Sequence, residues 1–171
     1  MEIELCPLRA REWPFVFSAR NEFFAGMANV EQHLGPVVPA VVEPLEEAVE
    51  VVESDRSAID LCLGTVSEMG GEAAVLAAIR ALGPRGKIAY VHFRDVRGSV
   101  PVFEECFLGE GNFRPLRVMR ALRANGFTGF ILDDHAPGLI DDSDYGHRGR
   151  AHAIGYIQGL LESIEEDRNG D

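Results

Sequence analysis

Residues 87–93 read KIAYVHF, a β-rich run that is almost continuously apolar and bounded by turn residues. Such a run is expected for a strand covered on both faces in a parallel sheet, and it places His92 near the strand's C-terminal end. Just upstream, Gly83-Pro84 closes a predicted helix over residues 72–82, whose Val75, Leu76, Ile79 and Leu82 share one stripe. Further upstream, residues 59–63 read as a short strand that follows the turn-like Ser54-Asp55-Arg56-Ser57 and leads into a loop containing Gly64, Gly70 and Gly71. Over residues 37–52, Val38, Val41, Val42, Leu45, Ala48, Val49 and Val52 recur at helical spacing, and Pro44 is expected to kink or divide that helix.

Downstream of KIAYVHF a long loop is expected, and then a helix capped by Asn112, with Phe113, Leu116, Met119 and Leu122 along one face and Gly126 past its end. Residues 129–132 form a third short strand that runs into Asp133, Asp134 and His135. A closing helix over 149–166 carries Ile154, Ile157, Leu160, Leu161 and Ile164 on its buried side. Residues 1–28 mix aromatics with charges without a sustained period and read as a docking arm. The order is a helix followed by strand–helix three times over. That alternation argues for an α/β fold with a parallel sheet, either an open doubly wound sheet or part of a barrel. No GxGxxG or P-loop follows any of the strands, so the nucleotide-binding form of the open sheet has no support.

Composition narrows the function classes. The 171 residues, 46% hydrophobic and 26% charged, fit a single domain with a real core. Sixteen basic residues against 28 acidic ones give a net charge of −12, a field that repels phosphate backbones and anionic membranes, so neither nucleic acid nor membrane is an expected partner. Lys87 is the lone lysine, a surface chemistry like that of proteins from salt-loving cytoplasms. There is no apolar run of membrane-spanning length and no basic-then-apolar leader, so the cytoplasm is the expected location. Cys6, Cys62 and Cys106 are odd in number and widely spaced, a poor disulfide framework.

The chemistry gathers at the strand ends: Cys62, then His92, then Asp134 with His135. In a parallel arrangement all reach one rim of the sheet, where thiolate, imidazole and carboxylate are the donor types of a divalent transition metal. Each residue also has an ordinary reading. Cys62 fits a small buried hydrophobe, His92 a core histidine held by a hydrogen bond, and the acids after the third strand a capped turn.

Five stretches go further: LCLGTVSEMGG (61–71), YVHFRDVRGSVPVFEE (90–105), Glu110-Gly111-Asn112, LDDHAP (132–137) and GRAHAIGYIQGLLES (149–163). Together they resemble the mannonate dehydratase family over residues 29–163, and HFRDVRG is the most specific of the blocks. The resemblance implies a (β/α)8 TIM barrel of the xylose-isomerase-like kind with a manganese-dependent site at its strand C-termini. It also implies a hydro-lyase activity of hexuronate catabolism, converting D-mannonate to 2-dehydro-3-deoxy-D-gluconate and water. By the same resemblance the metal ligands fall on Cys62, His92 and Asp134, the acid/base residues on His135 and Tyr145, and a substrate contact on Arg94. A salt bridge from Arg94 to Asp95 or another neighbour is an equally ordinary use of that guanidinium. His147 stands close enough to Tyr145 in sequence to support it, whereas His33 and His152 read as surface or packing residues.

A whole barrel takes about 250 residues, so this chain corresponds to about half of one. The family's early strands lack counterparts, and the strand that carries its second histidine ligand is missing at the seam marked by Pro44; His33 does not replace it. Gly109, Arg114 and Leu132-Asp133 also depart from the family's pattern. An incomplete barrel exposes strand edges and an apolar face, which favours a homo-oligomer or a complementing half-barrel chain. The functional expectation is therefore a metal-dependent lyase. The alternatives are a non-catalytic remnant or half-barrel assembly partner that keeps the rim residues, and an isomerase of the same barrel group.

Overall fold

The computed structural model describes residues 16–17, 37–52 and 54–169. In chain order the elements are β1 (Val16–Phe17), α1 (Val37–Glu50), β2 (Ala58–Cys62), α2 (Leu63–Leu82), β3 (Ile88–His92), β4 (Asp95–Ser99), β5 (Val102–Cys106), α3 (Pro115–Ala124), β6 (Phe130–Leu132) and α4 (His147–Asn169). A parallel sheet runs in the order β1-β2-β3-β6, and β4 and β5 form a separate antiparallel pair. The chain is thus a mixed α/β fold built on a parallel sheet. Of the expected arm over residues 1–28, Val16–Phe17 is a strand paired with Ala58 and Ile59; the remainder of that arm, Cys6 included, and His33 lie outside the described residues.

The sheet has two unlike faces because successive side chains along a strand point to opposite sides. Ile59 and Leu61 of β2, Val91 of β3 and the following Phe93 are buried in the core with α1, α2, α3 and α4. Asp60 and Cys62 of β2 and Tyr90 and His92 of β3 alternate with them and are only half-buried. This corrects the expectation for residues 87–93: one face of β3 is covered by the apolar core, and the other carries the polar and aromatic groups. Phe130 and Leu132 extend that second face across β6 at 40% and 41% exposure.

Three further differences have clear causes. Helix α1 runs through Pro44 undivided, because Val41, Leu45 and Val49 anchor it on the core, and this packing outweighs the one backbone hydrogen bond that proline removes. Of the segment expected as a glycine loop, residues 63–69 are helical and follow Cys62 directly, whereas Gly70 and Gly71 have non-helical backbone and separate this first part of α2 from the expected helix over 72–82. Gly71 sits at φ 63°, ψ −163°, a backbone state open essentially to glycine alone. The long loop after β3 contains the β4–β5 hairpin, with Asp95 opposite Cys106 and Ser99 opposite Val102.

Asp95, at the start of that hairpin, is 1% exposed and accepts backbone N–H bonds from Val96, Gly109, Gly111 and Asn112 at 3.0–3.2 Å. This carboxylate ties the loop after β5 back onto β4. Asn112 is part of the same knot, donating from Nδ2 to the Gly98 carbonyl at 2.6 Å, and so it does not cap α3. Arg114 takes the cap position instead, followed by Pro115, whose missing N–H costs nothing in a helix's first turn.

Candidate metal centre

The parallel pairing brings three strand ends together. Cys62 ends β2 and pairs in register with His92, which ends β3, and His92 in turn pairs with Leu132, the last residue of β6. Asp134 lies two residues beyond, in the left-handed backbone region at φ 52°, which aspartate tolerates better than most residues. One donor atom each from Cys62, His92 and Asp134 lies within 4.8 Å of the other two. Donors about 2.0–2.3 Å from a common ion stand no more than about 4.6 Å apart, so this set closes on one cation after a small side-chain adjustment. Soft sulfur, imidazole nitrogen and carboxylate oxygen are also the donor types that transition metals take.

Arg94 occupies the ground between the two acidic donors. Its Nε lies 3.2 Å from Cys62 Sγ and 3.3 Å from Asp134 Oδ2, and those two atoms are 3.9 Å apart. Its Nη1 meets Glu105 Oε1 at 2.6 Å, Nη2 donates to Thr65 Oγ1 at 3.1 Å, and Glu68 Oε2 stands 3.7 Å away. At 5% exposure the guanidinium is enclosed, and its ion pairs go to Glu105, Asp134 and Glu68 rather than to Asp95, whose oxygens take backbone donors.

These contacts set the ionisation of the pair. Burial pushes the Cys62 thiol up, but the His92 hydrogen bond, the Arg94 charge and Thr65 together bring it below the usual thiol range. His92 moves the other way: its hydrogen bond with Cys62 outweighs burial and, with Asp60 and Asp134, holds the imidazole above its ordinary value. Beneath them Tyr90 is pushed up to about 12 by burial and by the charge and hydrogen bond of Asp60.

The other expected residues form a second group. Glu105 Oε1, already on Arg94, also lies 3.3 Å from His135 Nδ1. Glu105 and His135 line an open cleft of about 340 Å³ together with Tyr145 and Arg150. Tyr145 is 63% exposed, with the Arg150 guanidinium 4.4 Å above its ring, and Arg150 is itself paired to Asp133 at 2.9 Å. His147 packs 5.2 Å from the Tyr145 ring and bonds to Ser143, while His152 packs against Phe107. Asp60, Thr65, Glu68 and Glu105 were not anticipated from the sequence. The period-two spacing of Asp60 with Cys62 is an available signal; Glu105 is hidden because its hairpin carries no apolar period.

Fold and donor set define an α/β protein whose parallel sheet carries a metal-type site at the C-terminal ends of neighbouring strands. The family model for D-mannonate dehydratase (UxuA) matches residues 36–170, and the chain belongs to that family. It is 28% identical over 142 residues to the mannonate dehydratase of Lactococcus lactis subsp. cremoris (strain MG1363), a match covering 77% of this chain and 39% of the relative. The Enterococcus faecalis (strain ATCC 700802 / V583) mannonate dehydratase is 28% identical over 151 residues, covering 78% and 38%. The crystal structure of mannonate dehydratase from Streptococcus suis serotype2 aligns with a TM-score of 0.64 at 22% identity, over 75% of this chain and 38% of that one. The chain therefore spans about two-fifths of the length of these relatives. Among the described residues no helix is long and apolar enough to cross a membrane.

Proposed function

We propose that this chain works as a mannonate dehydratase, converting D-mannonate to 2-dehydro-3-deoxy-D-gluconate and water in cytoplasmic hexuronate catabolism. In this reading its 171 residues form one domain, about half of a xylose-isomerase-like (β/α)8 barrel, and Cys62, His92 and Asp134 hold a divalent ion, with Mn2+ the first choice. The observation that carries the reading is the meeting of those three donors at one sheet edge, in a chain of this family.

The reaction explains why the surrounding groups are needed. A proton alpha to a carboxylate is very weakly acidic, and its removal builds negative charge beside charge already present. A bound divalent ion supplies a Lewis acid that offsets this charge. Arg94 adds a fixed positive charge beside Cys62 and Asp134, where a sugar acid's carboxylate would be drawn. His135 and Tyr145 face the same cleft and serve as the proton-transfer pair, one taking the C2 proton and the other protonating the departing C3 hydroxyl. Glu105 holds His135 at Nδ1, which fixes the ring for that task.

The test is direct. Purified chain with Mn2+ and D-mannonate should release the 2-keto acid, and Cys62→Ala and His92→Ala should abolish release. Failure of Mn2+ to bind, or to raise the melting temperature, removes the lyase reading. A second reading is favoured by Phe130 and Leu132, apolar side chains 40% and 41% exposed on the sheet's second face. Here the chain is a half-barrel partner that completes its site in a homo-oligomer or with a complementing chain. Sedimentation of a monomer that is active alone excludes it.

A further inference from the structure

Asp60 lies outside the three-donor set, yet its carboxylate stands closer to His92 than that of Asp134 does. Its Oδ2 is 3.1 Å from His92 Nδ1, whereas Asp134 Oδ2 is 3.6 Å from that same nitrogen, beyond good hydrogen-bond range. The strand register explains why. Asp60 faces Tyr90 across the β2–β3 ladder and Cys62 faces His92, so all four side chains share one sheet face and Asp60 reaches His92 on the diagonal. The Asp60 side chain is 10% exposed and lies opposite Tyr90, so the carboxylate is enclosed on the face that carries His92.

We infer that Asp60 is a positioning residue for His92, accepting the Nδ1 proton so that the opposite ring nitrogen carries the lone pair offered to a divalent cation. A ligating imidazole whose other nitrogen donates to a carboxylate is fixed in both tautomer and ring orientation and becomes a stronger donor. The sequence pattern is compact: Asp-x-Cys on one strand and Tyr-x-His on its neighbour place an orienting layer directly under a ligating layer. The inference rests on the metal reading proposed above, but its central statement concerns the imidazole and can be tested without metal.

The experiment follows the His92 ring nitrogens by long-range 1H–15N NMR in metal-free protein at alkaline pH, together with Mn2+ binding by calorimetry, for wild type, Asp60→Asn and Asp60→Ala. The wild-type ring should be the Nδ1–H tautomer. Asp60→Asn keeps an acceptor oxygen and should retain that tautomer, while Asp60→Ala should shift it toward Nε2–H. Mn2+ affinity should fall about 10–100-fold in Asp60→Ala and less in Asp60→Asn. A wild-type ring protonated at Nε2 overturns the inference, as does an Asp60→Ala protein whose tautomer and affinity both match wild type. If Asp60→Ala does not fold, the wild-type and Asp60→Asn spectra still decide. The expected tautomers without Mn2+ binding support Asp60 as the orienting group and remove the metal reading alone.

Discussion

Arg94 lies so close over Gly64 that a Cβ there would stand 2.7 Å from its Cγ and 2.8 Å from its Cζ and Nε. Real Cβ atoms do not approach so closely, so the bare glycine in the first turn of α2 is what lets the guanidinium rest beside Cys62 and Asp134. Gly64→Ala should push Arg94 aside and remove a cation that favours the Cys62 thiolate. The measurement is site-resolved alkylation of Cys62 against pH in metal-free protein. Its midpoint, below the ordinary thiol range in wild type, should rise in Gly64→Ala. An unmoved midpoint would show that Arg94 does not set the ionisation of Cys62.

Cys106 provides the internal contrast. It is buried at the end of β5, and its thiol is pushed up to about 11, chiefly by burial and next by the Asp95 charge. At neutral pH Cys62 should therefore react with iodoacetamide at least tenfold faster than Cys106, since the thiolate is the nucleophile and one unit of pKa is a factor of ten in its population. Mass spectrometry of partly labelled native protein reads the ratio; equal labelling would contradict the assigned environments.

How much of this was legible in the sequence divides along physical lines. Strands β2, β3 and β6 are carried by dense apolar runs, and the sequence places them to within a residue or two, along with the strand-end donors Cys62, His92 and Asp134. The β4–β5 hairpin was not legible because DVRGS and VFEEC alternate charge with small or exposed residues and bury little, so no apolar period marks them. The opening turns of α2 are masked by Gly64, Gly70 and Gly71, which read together as loop; the break does fall at Gly70 and Gly71, but residues 63–69 before it are helical. Asp60 and Glu105 needed more than local pattern. One gains its partner from the register of β2 on β3, the other from a hairpin fold that returns it to Arg94.

The Asp95 knot predicts an effect on stability. Asp95→Ala removes the carboxylate acceptor of the Val96, Gly109 and Gly111 N–H groups, while the Asn112 N–H keeps the Val96 carbonyl at 2.9 Å. Each unsatisfied buried donor costs about 1–3 kcal/mol, and partial access of water to the loop reduces the sum, so a loss of about 3 kcal/mol or more is expected. Urea denaturation measures it. Asp95→Asn, which keeps one carbonyl oxygen, should fall between alanine and wild type, and a loss below about 1 kcal/mol for alanine would mean that the loop finds other acceptors.

Asp142 predicts a pH dependence at the start of α4. Its carboxylate accepts the backbone N–H of Arg148 through both oxygens at 3.0 Å, and those of Ser143 at 2.8 Å and Gly149 at 3.2 Å. The Arg148 bond is the largest of the influences that hold it below the ordinary carboxylate range. A carboxyl depressed in the folded state contributes stability that is fully present above its unfolded value, about 3.9, and is lost as pH falls through the lower folded value. Wild type should accordingly lose part of its stability on acidification below about pH 4, while Asp142→Asn should be less stable than wild type at pH 7 and show a flatter acid limb. Melting temperatures of both proteins from pH 7 down to pH 3 provide the comparison. Parallel curves would mean that the Asp142 charge contributes nothing to the helix start, whereas convergence of the two curves at the acid end is the result this capping arrangement requires.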